Sequence, residues 1–313
     1  MTHRRTSALA LVVAATLGVT TLAVPAAFAA DGGARPRSGP TPPSSGQPAN
    51  PAPASSSDEP TTIIIQLEAG AERAQTRERI AASVAEAVPS ASVTTLREYT
   101  HALQGFAIEA HAAALAAIQR TEGVKTAAVA RSVTPMAEND AAPAGAPVLK
   151  NASALEMTRA NQAAQKGDHQ VIEVIDSGLD TSHPAFSGAL DAASLRMTQA
   201  DVAALAPSLP HATGGTWVSD KIPFAYDYAD NDADVVPASE KDLNHGTHVT
   251  AIAAANGGEV RGSAPNAQIV VAKVIQDADG VMSDAAMLAA LDDALVIKPD
   301  VINISLGDDS GMS

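Results

Sequence analysis

The sequence predicts an α/β protein in which a mostly parallel β-sheet is covered by helices and is incomplete within this chain. A small α+β unit is predicted to precede it. From about residue 150 onward, short apolar runs alternate with helical patterns, as expected for a parallel sheet covered on both faces. Between residues 61 and 134 the patterns instead follow the order β-α-β-β-α-β. These two observations define the predicted fold class.

The first 60 residues are predicted to lie outside any folded domain. Residues 1–5 (MTHRR) are basic, an apolar stretch follows to Ala30, and Ala27-Phe28-Ala29 fits the small-x-small cleavage rule. This pattern is typical of a signal peptide over residues 1–30, and we favour it over a membrane anchor. Residues 31–60 contain eight prolines among Ser, Gly and Ala, which predicts a disordered spacer.

Residues 61–137 are predicted to form the small α+β unit. Helices are expected over Ala71–Val88 and His111–Arg120, and the four strand patterns are TTIIIQL, SVTTLREY, HALQGFAIEA and VKTAAVA. The order β-α-β-β-α-β is that of a ferredoxin-like unit. Residues 138–150 then read as a linker.

Residues 151–313 are predicted to form the larger α/β unit. The expected elements are a strand over Val171–Ile175, a helix from His245, a strand over Ala267–Ile275, a helix over Ser283–Ile297 and a strand over Val301–Ile304. The stretch between residues 187 and 242 is long for one connection and is expected to carry insertions. Within it, Phe224, Tyr226 and Tyr228 alternate like one buried face of a strand.

Composition excludes several classes of function. The formal net charge is −15, which argues against nucleic acid or an anionic membrane surface as a partner. The chain has no cysteine, so a disulfide scaffold, a thiolate nucleophile and a sulfur-ligated zinc site are excluded. No segment after the signal peptide is apolar and long enough to span a membrane.

Two polar positions are candidates for chemistry. Asp176 ends a buried strand and is followed by Gly178, and sites of open α/β sheets form at the carboxyl ends of strands. His245 opens a helix and is followed by Gly246. The chain order Asp then His is one order found in Asp-His-Ser triads. Asp176 could instead start a turn, and His245 with His248 could be structural or bind a metal, although no third ligand is evident.

Four segments in this order resemble the subtilisin-like serine proteases. IDSGLDTSHPAF resembles the segment that carries the family's aspartate, and HGTHV resembles the segment of its histidine. GSAPNAQIVVAKVI resembles the strand that follows, and VINISLG resembles the substrate-binding strand. Within the family, IPFAYDYADNDADVV and SLGDDSG are most similar to the large cell-envelope proteinases of the lactocepin and C5a-peptidase type.

The resemblance implies a role for each of these segments. Asp176 would orient His245, and His245 would act as general base toward a serine. Ser305, Leu306 and Gly307 would pair with an extended polypeptide substrate. Residues 61–137 resemble the family's inhibitory propeptide, which binds its own catalytic domain. No cofactor is implied for catalysis. Calcium is common in the family, and residues 231–236 or 308–309 carry oxygen ligands, but the sequence assigns no site and no metal ligand.

The family's nucleophile lies in a Gly-Thr-Ser-Met-Ala type segment well after SLG, with an oxyanion asparagine between them. Neither occurs in the 313 residues. Gly311-Met312-Ser313 mimics the pattern, but it lies in the loop that matches the substrate side. We therefore expect an exported endopeptidase of which residues 151–313 are the N-terminal part of the catalytic domain. These residues alone are expected to be inactive. Wall attachment would depend on a further C-terminal part.

Two other functions are compatible with parts of the sequence. If the nucleophile is truly lacking, the protein would be a non-catalytic binding protein, or a propeptide-like inhibitor of a related protease. An aspartic protease is suggested by Asp176-Ser177-Gly178 and Asp309-Ser310-Gly311, which both read Asp-Ser-Gly. That class needs two matched β lobes, and the α/β alternation opposes it.

Overall fold

The computed structural model describes residues 60–133, 155–238 and 244–307, all within one compact unit. The predicted signal peptide, the spacer up to residue 59, the linker at 138–150 and residues 308–313 lie outside the described residues. Within the described ranges, no helix is both long and apolar enough to cross a membrane.

The N-terminal unit is a four-stranded antiparallel sheet with strand order β2-β3-β1-β4. Its elements follow the predicted order: β1 (Pro60–Leu67), α1 (Arg73–Ala87), β2 (Thr94–Tyr99), β3 (Gly105–His111), α2 (Leu115–Gln119) and β4 (Val124–Val129). One prediction was too long at its start. The strand expected from His101 begins only at Gly105, because the backbone N–H groups of residues 100–102 turn away to bind Asp292.

The two faces of this sheet have different partners. Ile63 and Ile65 of β1 pack with Ile80 of α1 and Ile118 of α2 in a buried cluster. The intervening residue Ile64 points to the other face and joins the core around the larger unit. This alternation follows from the two-residue period of a strand. The N-terminal sheet therefore carries its own helices on one side and contacts the α/β unit with the other.

The α/β unit is built on four parallel strands in the order β10-β6-β8-β7. Their bounds are β6 Val171–Asp176, β7 Phe224–Asp227, β8 Gln268–Lys273 and β10 Val301–Ile304. Every residue of β6 and β8 is buried. The largely apolar sequences of β6 and β8 are thus explained by cover on both faces of the sheet.

Helices cover both faces of the parallel sheet. Val171 and Ile175 share a buried cluster with α5 (Asp284–Ile297), whereas Ile172 and Val174 share one with α4 (His245–Ala254). Ser283 caps α5 by accepting the N–H of Ala285 with its hydroxyl, as expected for a residue that starts a helix. The predicted fold class, a mostly parallel sheet covered by helices, is confirmed.

The long connection between β6 and α4 contains the expected insertions. It includes helix α3 (Gln199–Leu205), which begins with a capping box formed by Thr198 and Asp201, and strand β7. Phe224, Tyr226 and Tyr228 are buried in the same cluster, which confirms the packing role predicted for them.

A short antiparallel ladder connects the end of the N-terminal unit to the α/β unit. Strand β5 (Ser132–Val133) pairs with β9 (Met282–Ser283), which directly precedes α5. The register joins Ser132 to Ser283 and Val133 to Met282.

Glu173 is a buried carboxyl group in the middle of β6. Its side chain is fully buried, and neither carboxyl oxygen has a hydrogen-bond partner among the described residues. Burial, and then the negative charge of Asp293, raise the pKa of Glu173 from 4.5 to about 8. The folded protein therefore holds a proton on Glu173 that the unfolded chain releases near pH 4.5.

We predict that Glu173 makes the protein less stable as pH rises. Because its pKa is raised on folding, Glu173 does not lower the free energy of unfolding below about pH 4.5. The destabilisation grows as the pH rises and is complete above about pH 8. Glu173→Gln should flatten the fall in melting temperature over this range. Glu109→Gln, an exposed position in β3, serves as the matched control. Parallel pH profiles of wild type and Glu173→Gln would contradict the prediction.

Candidate active site

Asp176 lies at the carboxyl end of the central strand β6, and its side chain is 1% exposed. The chain then turns through Gly178, whose φ of +108° is unfavourable for residues with a side chain. A Cβ at Gly178 would also lie 2.3 Å from the carbonyl oxygen of Val235. The glycine thus lets the chain leave the sheet directly after the carboxylate.

His245 is the first residue of helix α4, and its ring contacts Asp176. Nδ1 of His245 lies 2.8 Å from Oδ1 of Asp176, which also accepts the N–H of Ser177 at 2.7 Å. Oδ2 of Asp176 is buried and has no hydrogen-bond partner among the described residues. The His245 side chain is 32% exposed, so the pair joins a buried carboxylate to a ring that reaches the surface.

Two hydrogen bonds hold the start of α4 against the turn after Asp176. The N–H of Gly246 donates to the hydroxyl of Ser177 at 2.9 Å, and the N–H of Asp180 donates to the hydroxyl of Thr247 at 2.9 Å. A Cβ at Gly246 would lie 2.2 Å from the carbonyl oxygen of Gly178. The helix can therefore approach the turn closely only because position 246 has no side chain.

The sequence of α4 explains how the helix is oriented. Gly246, Thr250 and Ala254 recur every fourth residue and form a buried stripe along it. His248 is exposed. Packing of the stripe against the sheet thus brings His245 to the Asp176 turn while His248 lies at the surface.

Ser305, Leu306 and Gly307 directly follow β10, which pairs in parallel with β6. Ile304 is the register partner of Ile175, so both strands end at the same edge of the sheet. Ser305 and Gly307 are exposed and Leu306 is half-buried. The predicted substrate-side residues therefore lie at the edge that carries Asp176, as expected for sites of parallel sheets.

The alternative hypothesis that His245 and His248 bind a metal ion gains no support from the site. Among the residues that the structure describes, the cluster of three possible metal ligands is Asp227, Asp230 and Asp277, and it includes neither histidine. Nζ of Lys273 lies 2.6 Å from a carboxylate oxygen of both Asp227 and Asp277. The lysine ammonium thus takes the position that a cation would need.

Sequence reasoning did not identify Lys273 as part of this region. The side chain of Lys273 is fully buried beside the turn after Asp176, and its Cδ would lie 3.1 Å from a Cβ at Gly178. Burial alone would lower the pKa of Lys273, but its hydrogen bonds to Asp227 and Asp277 outweigh this and raise it. A lysine inside the apolar run VVAKVI was the available signal.

A buried Asp and a partly exposed His thus lie in contact at the carboxyl edge of a parallel sheet, and their chain order, Asp then His, is one order found in Asp-His-Ser triads. Residues 167–313 match the family model described as "Subtilase family". This part of the chain belongs to the subtilases.

The curated relatives include bacterial proteinases. A PII-type proteinase of Lactococcus lactis subsp. cremoris is 31% identical over 239 residues, which cover 74% of this chain and 12% of the relative. A C5a peptidase of Streptococcus pyogenes is 31% identical over 154 residues, which cover 47% of this chain and 12% of that protein. The chain thus spans about an eighth of the length of these relatives.

Among solved structures, the epidermin leader peptide processing serine protease of Staphylococcus aureus is similar to this chain. Its TM-score is 0.46 at 14% sequence identity, over 80% of this chain and 50% of that chain.

We predict that Gly246→Ala disrupts the site. The added methyl group would lie 2.2 Å from the Gly178 carbonyl oxygen, so α4 must move away from the turn. A cost of about 1–3 kcal/mol is expected for a forced contact of this kind. Gly214→Ala is the control, because the nearest atom to its new Cβ would be at an ordinary 3.8 Å. Equal free energies of unfolding for the two variants would rule out the close approach.

Proposed function

We propose that the protein is a serine endopeptidase of the subtilase type in which Asp176 and His245 form the acid–base pair. The observation that carries this proposal is the 2.8 Å contact between Nδ1 of His245 and Oδ1 of Asp176 at the carboxyl edge of the sheet. The chain covers only a small part of the length of these relatives, so we propose, and do not assign, peptidase activity for this protein.

In the proposed reaction, Asp176 accepts the Nδ1–H of His245 and so directs Nε2 to act as the base. A serine hydroxyl attacks the scissile carbonyl carbon and transfers its proton to Nε2. The imidazolium then protonates the leaving amine, and water hydrolyses the acyl-enzyme with the same base. The serine is not assigned to any residue of the chain. No cofactor takes part, and structural calcium stays a proposal without a site.

The substrates would be polypeptides bound in an extended conformation. Ser305–Gly307 extends from β10 at the edge of the sheet, where backbone groups can pair with a peptide as an added strand. This mode of binding recognises the main chain, so it suits an endopeptidase that accepts many sequences.

The N-terminal unit would act as an inhibitor-type propeptide bound to its own catalytic domain. The carboxylate of Asp292 on α5 accepts the backbone N–H groups of Thr100, His101 and Ala102 at 3.0, 2.6 and 2.6 Å. The Tyr99 hydroxyl donates to the carbonyl oxygen of Ala285 at 3.0 Å. Both contacts join the turn after β2 to α5.

The electrostatics of Asp292 favour this contact. Burial works against its ionised form, but hydrogen bonds from His211 and from the three backbone N–H groups outweigh burial and lower the pKa of Asp292 to about 2. Strand β5 adds a second contact by pairing with β9, as a bound peptide would. These interactions support the assignment of residues 61–137 as a propeptide.

The proposed compartment is extracellular. The support is the basic start, apolar stretch and cleavage pattern of residues 1–30, which are typical of an export signal. Attachment to the cell wall stays a proposal without an assigned segment.

We predict that Asp176→Asn and His245→Ala abolish peptide hydrolysis by the full-length protein. Without the carboxylate the imidazole has no fixed tautomer, and without the imidazole the serine has no base, so each change should lower kcat by about 10⁴-fold or more. Cleavage of a quenched fluorescent peptide and labelling by a fluorophosphonate measure this loss.

His248→Ala is the matched control, because His248 is exposed and lies one turn further along the same helix. It should keep nearly full activity. If the unchanged full-length protein neither cleaves peptides nor labels, the proposal fails and the binding or inhibitor function takes its place. Activity of residues 1–313 alone would contradict the expectation that the nucleophile lies elsewhere.

We predict that Asp292→Ala weakens the docking of the N-terminal unit. Three backbone N–H groups would lose a buried, charged acceptor, which is expected to cost about 2–5 kcal/mol. Hydrogen exchange of the amides of residues 100–102 in the intact protein should become much faster. Glu259→Gln, an exposed change elsewhere, should leave it unaltered. If these amides were protected from exchange equally in Asp292→Ala and in the wild type, packing alone would hold the N-terminal unit.

A further inference from the structure

The residue that precedes strand β5 makes a concentrated set of contacts with Asp284. The N–H of Arg131 donates to Oδ2 of Asp284 at 3.2 Å, and Nε of Arg131 donates to the same oxygen at 3.1 Å. In return, the N–H of Asp284 donates to the carbonyl oxygen of Arg131 at 3.2 Å. Both the main chain and the side chain of Arg131 are thus bound by Asp284.

These contacts extend the antiparallel ladder of β5 and β9 by one residue. Ser132 and Val133 pair with Ser283 and Met282, and Arg131 follows in register opposite Asp284. The ladder bonds involve only the main chain, so any sequence could form them. The carboxylate of Asp284 is the part of this surface that distinguishes a basic side chain from others.

Asp284 is held in place independently of Arg131. It is the first residue of α5, a helix of 14 residues, and the preceding Ser283 caps that helix. A carboxylate in the first turn is favoured by the helix dipole. Its side chain is 25% exposed, so a peptide side chain can reach it, whereas that of Arg131 is 69% exposed. Asp284 is thus fixed by its own helix, whereas the side chain of Arg131 is the more exposed partner in the pair.

We propose that Asp284 is a specificity-determining residue that selects Arg or Lys in a polypeptide strand paired with β9. This inference rests on the proposed function and names its substrate class: extended peptides with a basic residue on the amino-terminal side of the scissile bond. Arg131 occupies this position in the protein's own chain. Arg131 precedes the linker expected at residues 138–150, so cleavage in that linker would leave Arg131 on the amino-terminal side of the cleaved bond.

The charge of the surrounding surface favours the same substrates. The turn that leads into β9 carries Asp279, and the chain as a whole has a net charge of −15. An acidic surface attracts basic peptides over a range of about 8–10 Å at physiological salt. Arg131 provides the complementary positive charge at Asp284.

The test is a set of peptides cleaved by the processed full-length enzyme. The peptides share one sequence and differ only by a single Arg, Lys, Gln or Glu placed at successive positions before the scissile bond. The wild-type enzyme should prefer Arg and Lys over Gln at one position by about two- to five-fold in kcat/KM, as expected for a partly exposed ion pair. Glu there should be cleaved more slowly than Gln.

Two variants assign the preference to Asp284. Asp284→Asn keeps the size of the side chain and should remove the preference for Arg, and Asp284→Lys should turn it toward Glu. Thermal melting checks that each variant folds. Asp279→Asn is the control for loss of a nearby acidic charge and should retain the preference.

The outcomes separate this inference from the proposed function. Hydrolysis of all peptides with no preference at any position, or a preference that survives Asp284→Asn, would overturn the inference and leave the peptidase assignment intact. Absence of hydrolysis with every peptide would overturn the proposed function, and the inference with it.

Discussion

The structure of the site depends on the close approach of helix α4 to the turn after Asp176. At Gly246 the backbone of the helix lies so near Gly178 that a single methyl group would collide with it. The approach places the N–H of Gly246 on Ser177 and brings the His245 ring to the carboxylate of Asp176. The contact between Asp176 and His245 is therefore positioned by main-chain geometry, while the buried stripe of α4 supplies the packing that holds it.

Buried charges on the other face of the sheet connect the two units. Asp292 and Asp293 are consecutive on α5, and both are fully buried. Asp293 accepts the N–H groups of His211 and Ala212, which belong to the insertion before β7, whereas Asp292 accepts those of residues 100–102. A buried carboxylate is stable only when donors compensate its lost hydration. Helix α5 consequently relies on the N-terminal unit to satisfy one of its own charges.

The sequence predicted the elements and the Asp176–His245 pair because each has a local signature. Apolar runs, capping residues and short glycine motifs are all visible within about ten residues. The partners of Lys273 and Asp292 could not be predicted in this way, because Asp227 and residues 100–102 lie far from them in the chain. The start of β3 was misplaced for the same reason: residues 101–104 have strand-like composition, but the N–H groups of His101 and Ala102 bind Asp292, nearly two hundred residues later in the chain.

The arrangement of β9 and α5 has a consequence for how the proposed propeptide would inhibit. The same short segment offers a strand edge at Met282–Ser283, a carboxylate at Asp284 and a second carboxylate two turns along at Asp292. The N-terminal unit uses all of them at once, and because they are contacts of one folded unit, each raises the effective concentration at the others. A free peptide can use only the edge and Asp284. A free peptide would therefore bind more weakly than the proposed propeptide, and it would compete poorly for β9 while the N-terminal unit is in place.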